Sequence, residues 1–107
     1  MNKGLVLMLF VLASCAENIR SAEIKVSGNC EMCKETIEEA LQTPAIQYSS
    51  WNPETGILEV RFDASKTNLK EIREKVAAAG YDTDSVKAND QAYSKLHECC
   101  RYRESAE

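Results

Sequence analysis

The sequence predicts an α+β sandwich, a four-stranded antiparallel sheet with two helices on one face in the order β-α-β-β-α-β, followed by a short helical tail. Three observations predict it. Leu58, Glu59, Val60, Arg61 and Phe62 alternate apolar and polar, the period of a half-buried strand. Segments 33–42 and 69–79 carry apolar residues at helical spacing. Asn52-Pro53-Glu54-Thr55-Gly56 is turn chemistry, with proline fixing one φ and glycine permitting a positive one.

The first strand is expected over 23–27, where Ile24 and Val26 share one face, and Gly28-Asn29 breaks it. The first helix is expected over 33–42, with Ile37, Ala40 and Leu41 inward and Pro44 marking its end. Residues 46–51 and 57–62 flank the turn and form a hairpin. Asn68 with Glu71 three residues on resembles a capping box, and Leu69, Ile72, Val76 and Ala79 follow on one helical face. Gly80 closes that helix. A last, weaker strand is expected over 81–88, carried mainly by Val86. Ala92, Tyr93 and Leu96 then form a short amphipathic tail helix. This order is the split-βαβ, ferredoxin-like plan.

The chain has 107 residues, enough for one domain. Its first fourteen residues read as an export signal: Lys3 is followed by an uninterrupted apolar run over 5–13, shorter than the roughly 20 residues that span a bilayer. The run ends in Leu12-Ala13-Ser14-Cys15, which resembles the bacterial lipobox, so Cys15 is the expected lipidated N-terminus of an exported lipoprotein facing the periplasm or cell surface. An ordinary secretory signal cut after Ala16 or Ala22 is the alternative. Residues 15–22 form a tether, 23–88 the domain and 89–107 a cysteine-containing tail. A net charge of −4 with no basic stripe argues against nucleic acid as a partner. The single histidine, His97, has no serine or acid partner at a recognisable spacing, and no glycine-rich phosphate loop occurs. The expected protein is not an enzyme.

The chemistry lies in the cysteines. Five is an odd count for an exported chain, and removing Cys15 to lipid leaves two close pairs, Cys30/Cys33 and Cys99/Cys100. Exported thiols are expected to be disulfide-bonded or occupied by metal. Cys30-Glu31-Met32-Cys33 sits where the first strand turns into the first helix, and the spacing lets both sulfurs face one point. Backbone N–H groups and the helix dipole favour the thiolate there. Two thiolates suit soft ions, Cu(I) foremost, with Hg(II) or Zn(II) as alternatives. A Cys30–Cys33 disulfide would close too short a loop to restrict the unfolded chain much.

Val26-Ser27-Gly28-Asn29-Cys30-Glu31-Met32-Cys33, followed by a helix, resembles the heavy-metal-associated domain family, which includes copper chaperones, N-terminal domains of copper-transporting ATPases and a periplasmic mercury-binding protein. The resemblance runs from 23 to about 88 and includes Gly80-Tyr81-Asp82. It implies a metal carrier with Cys30 and Cys33 as ligands, Tyr81 near the metal, and a metal transporter or another metal-binding protein as partner. One departure stands out. The family usually reads Gly-Met-Thr-Cys-x-x-Cys, whereas here Gly28-Asn29 precedes Cys30, one residue shorter and without Met-Thr.

The second pair lies beyond the domain. A last strand of six residues spans about 20 Å, and a ten-residue tail helix about 15 Å, just enough to return to Cys30 and Cys33. Cys99 and Cys100 are therefore candidates to join that site, the alternative being a tail whose cysteines act separately. His97 is expected at the surface, Tyr102-Arg103 at a solvated end, Trp51 packing at the sheet, and Glu35, Glu38 and Glu39 as a solubilising face. Two further functions compete: a thiol–disulfide redox protein using Cys30 and Cys33, and a lipoprotein whose cysteines are all in disulfides.

Overall fold

The computed structural model describes residues 18–105; the expected signal segment and Cys15, the expected lipidation position, lie outside them. Strand β1 runs over Ile19–Lys25, helix α1 over Glu31–Ala40, β2 over Ile46–Trp51, β3 over Ile57–Asp63 and α2 over Leu69–Ala78. Short helical pieces follow: α3 over Asp90–Ser94, a 3-10 turn over Glu98–Cys100, and α4 over Tyr102–Ser105.

The sheet is antiparallel in the order β1-β3-β2. Ile24 faces Leu58 across one ladder and Trp51 faces Leu58 across the other. A register shift between Ile46 and Tyr48 bends β2. Ile24, Leu58, Val60 and Phe62 point inward and meet Ile37 of α1 and Ile72 and Val76 of α2 in one buried cluster. Each such side chain contributes on the order of 1.5–3 kcal/mol of burial. The second helix forms where the pattern predicts; the first runs over Glu31–Ala40, two residues earlier than the expected 33–42, with Leu41 as its C-cap. Asn68 caps α2 by accepting from the Glu71 N–H at 2.9 Å, and Thr67 Oγ1 donates to the Glu71 carboxylate at 2.9 Å.

Two expectations are corrected. The first strand begins at Ile19, not residue 23, because β3 is long enough to pair back to it, Ile19 opposite Asp63. No fourth strand forms over 81–88. Only one bridge joins that segment to the end of β1, Val26 with Thr83, beside the Ser27 N–H donating to the Asp82 carbonyl at 2.9 Å. The reason is local. Thr83 closes a turn on Val86 through its own N–H (2.8 Å) and its hydroxyl, which accepts from the Val86 N–H at 2.9 Å. The Asp82 carboxylate takes the Ala88 N–H at 2.8 Å. Side chains satisfy backbone groups that a ladder would otherwise claim.

Candidate metal centre

Cys30 is the N-cap of α1, with extended backbone (φ −157°, ψ 174°), and Cys33 lies in the first turn. The loop that delivers them rests on Trp51. The indole is fully buried and its Nε1–H donates to the Val26 carbonyl at 3.1 Å. A Cβ at Gly28 would meet the indole carbons Cη2 and Cζ2 at 2.8 Å, so glycine is required for the loop to pass over the ring. The end of β2 is clamped to α1: the Trp51 N–H donates to the Glu38 carboxylate at 2.9 Å, and Lys34 Nζ donates to the Trp51 carbonyl at 3.2 Å and to Glu38. Glu38 is thus an anchor of the cysteine loop, where charge patterning suggested only solubility.

The second pair arrives by a route other than the predicted strand and single helix. Asn89 caps α3, accepting from the Ala92 N–H at 2.7 Å. Leu96 packs on Gly80, where a Cβ would meet Leu96 Cδ2 at 2.9 Å and where φ is +108°. The 3-10 turn then carries Cys99 and Cys100. Beyond it, Tyr102 and Arg103 are no solvated end: Tyr102 is buried, and its hydroxyl donates to the Gly80 carbonyl at 2.9 Å and accepts from the Asp82 N–H at 2.8 Å. Its ring stacks on Tyr81 at 5.7 Å and meets Tyr93 edge-on at 5.3 Å. The Arg103 guanidinium donates to both Asp82 oxygens (2.8 and 3.2 Å) and to the Ala88 carbonyl at 2.7 Å. These contacts latch the tail to the 80–88 segment.

Three thiols, Cys30, Cys99 and Cys100, gather at one point, and Cys33 adjoins them through Cys30. Cys30 Sγ lies 3.5 Å from Cys33 Sγ and 3.9 Å from Cys100 Sγ, and Cys99 Sγ lies 3.9 Å from Cys100 Sγ. The sulfurs of Cys30, Cys99 and Cys100 are all within 4.8 Å of one another. Cys33 Sγ donates to Asn29 Oδ1 at 3.2 Å, and Cys99 Sγ touches Met32 Sδ at 3.5 Å. All four are free thiols. Cys33 and Cys100 are buried, Cys30 half-buried and Cys99 exposed. His97 is exposed and outside the cluster.

Electrostatics separate the thiols. Burial raises the Cys30 pKa, but the backbone N–H groups of Cys33 and Met32 and the Cys33 and Cys100 thiols outweigh it and hold it below the ordinary thiol value. Burial pushes the Cys100 thiol up to about 12, the Tyr81 hydroxyl opposing and Cys33 and Cys30 adding. The Tyr81 hydroxyl is buried without a hydrogen-bond partner among the described residues, and its pKa is raised first by burial and then by the neighbouring Cys100 and Cys33 thiols. A cluster of this kind can release protons to bind a soft cation, or lose electrons to form disulfides.

The sequence profile of the heavy-metal-associated domain matches residues 23–82. The chain belongs to the heavy-metal-associated domain family. Solved structures of similar fold include the CopZ metallochaperone (27% identity, 60% of this chain and 98% of that one, TM-score 0.57). Oxidised MerP from Ralstonia metallidurans CH34 is similar too (25% identity, 62% and 94%, TM-score 0.58). A copper-binding domain from HMA7, a P-type ATPase, matches at 22% identity (61% and 90%, TM-score 0.58), a likeness of fold alone. No curated protein matches the chain. Within this heavy-metal-associated domain lie Cys30, Cys33, Trp51 and Tyr81; Cys99, Cys100, Tyr102 and Arg103 fall beyond the matched residues. The roles of Trp51, Asp82, Tyr102 and Arg103 were not legible as site features.

Proposed function

We propose that the chain binds a soft heavy-metal ion through Cys30 and Cys33 and passes it to a partner by thiolate exchange, as a carrier rather than an enzyme. The observation that carries this reading is the Cys30–Cys33 contact of 3.5 Å at the opening of α1, inside the residues the family profile matches. Helix-terminal N–H groups favour the thiolate form there. Cu(I) is the foremost candidate, with Hg(II) and Zn(II) next, all thiolate-binding ions. In the exchange the ion is cargo: an incoming partner thiolate displaces one sulfur at a time, each displaced sulfur regains a proton, and no electron moves. The partner is a metal transporter or another metal-binding protein, a reading supported by the metallochaperone likeness. The lipobox-like sequence at Cys15 supports placing both at one membrane, outside the cytoplasm.

Titration of the reduced protein with Cu(I) and Hg(II) tests this. One ion per chain is expected, lost in Cys30→Ser/Cys33→Ser; uptake unchanged in that variant refutes it. The same contact and the lowered Cys30 pKa also suit a dithiol oxidoreductase. Catalytic turnover in insulin reduction favours that second reading over carriage.

A further inference from the structure

The tail adds to the metal-binding reading and rests on it. We propose that Cys99 and Cys100 complete, with Cys30 and Cys33, a four-sulfur site for a soft divalent ion, with the exposed Cys99 as the ligand through which the ion enters and leaves. Distances favour this. A tetrahedral ion with metal–sulfur bonds of about 2.3 Å sets its sulfurs roughly 3.8 Å apart, and a linear two-coordinate ion sets them roughly 4.6 Å apart. The three contacts run as a chain near the tetrahedral edge, Cys33–Cys30 at 3.5 Å, Cys30–Cys100 at 3.9 Å and Cys100–Cys99 at 3.9 Å. Cys30, Cys99 and Cys100 lie within 4.8 Å of one another, and Cys33, outside that group, joins as the fourth ligand by turning its sulfur toward the ion.

The second pair is also held in place by contacts that involve none of the thiols. Leu96 on Gly80, the Tyr102 hydroxyl between Gly80 and Asp82, and Arg103 on Asp82 order the turn that bears Cys99 and Cys100. Ordering a flexible tail on binding would weaken affinity, and a folded tail avoids that cost. Exposure then assigns the order of exchange. Cys33 and Cys100 are buried and Cys30 half-buried, so a partner thiolate reaches the ion first by replacing Cys99. Each sulfur that binds releases one proton, and each that is displaced takes one back.

The test uses Cd(II) as the probe ion on the reduced full chain, with sulfur coordination number from X-ray absorption and affinity from chelator competition. Wild type is expected to hold one Cd(II) by four sulfurs, Cys99→Ser by three and Cys99→Ser/Cys100→Ser by two. Each lost sulfur lowers affinity on the order of 100-fold. Cys99 is exposed, so its serine variant leaves the packing intact if the double variant misfolds. Equal sulfur count and affinity in wild type and Cys99→Ser overturn the four-sulfur site and leave Cys30 and Cys33 as a binding pair. Failure of wild type to bind, or binding indifferent to Cys30→Ser/Cys33→Ser, overturns both readings together.

Discussion

Tyr102→Phe removes one oxygen and keeps the ring that stacks on Tyr81 and meets Tyr93. That oxygen donates to the Gly80 carbonyl and accepts from the Asp82 N–H. Two hydrogen bonds are lost, each worth about 0.5–1.5 kcal/mol net, and two backbone groups lose that partner in a largely dry place. The expected loss of tail docking is about 2 kcal/mol, a roughly 30-fold rise in the undocked population. Cys100 reports it, because its sulfur is buried only while the tail is docked. With reclosing fast, its alkylation rate tracks the open fraction. Iodoacetamide labelling of Cys100 in the reduced, metal-free protein, followed by peptide mass spectrometry, should therefore run about 30-fold faster in Tyr102→Phe. Labelling at the wild-type rate would refute the claim that this hydroxyl holds the tail.

Gly28→Ala should cost about 1–3 kcal/mol in urea denaturation, since the new Cβ meets a buried indole whose N–H is already committed. Gly80→Ala combines a positive φ with a clash on Leu96, and should lower stability by about 1–3 kcal/mol while speeding Cys100 labelling. On the acid side, burial raises the Asp82 carboxyl, but Arg103 and the Ala88 N–H bring it below the ordinary carboxylate range. Its folded pKa lies under the unfolded value of about 3.9, so the latch is at full strength above that value and weakens as pH falls through the folded pKa. Asp82→Asn should loosen the tail at neutral pH, seen as faster Cys100 labelling, and flatten the acid limb of stability in urea denaturation. On the alkaline side, Cys100 and Tyr102 are both pushed up to about 12. Raised acids stabilise the fold below their unfolded pKa and lose that contribution as pH rises through the folded one. The alkaline loss of stability should start near the unfolded thiol value of about 8.5, and Cys100→Ser should move its onset to about 10, the unfolded phenol value.

Most of the sandwich was legible because its determinants are local. Alternation at 58–62, the Asn68–Glu71 cap and the turn at 52–56 each report a backbone period or a hydrogen bond within a few residues, and the structure carries all three. The Cys30/Cys33 spacing and its place at a strand-to-helix junction were legible for the same reason. The failures came where a local preference met a distant side chain. Residues 81–88 hold three β-favouring residues, Tyr81, Thr83 and Val86, but the competing partners of their backbone are the Thr83 hydroxyl, the Asp82 carboxylate and Arg103. Tyr102 and Arg103 sit among charges and read as a solvated end, but the groups that bury them lie some twenty positions earlier in the chain.

The sequence by itself determined the strand and helix periods, the capped second helix, the hairpin and a thiol pair at a helix start, because each is encoded within one or two turns of chain. Only the tertiary structure decided that the sheet stops at three strands among the described residues, that Gly28 must yield to Trp51, and that Cys100 meets Cys30 across seventy residues. Those outcomes depend on which side chains outcompete a ladder for backbone groups and which apolar surfaces exclude water together, and neither is written in any short window of the chain.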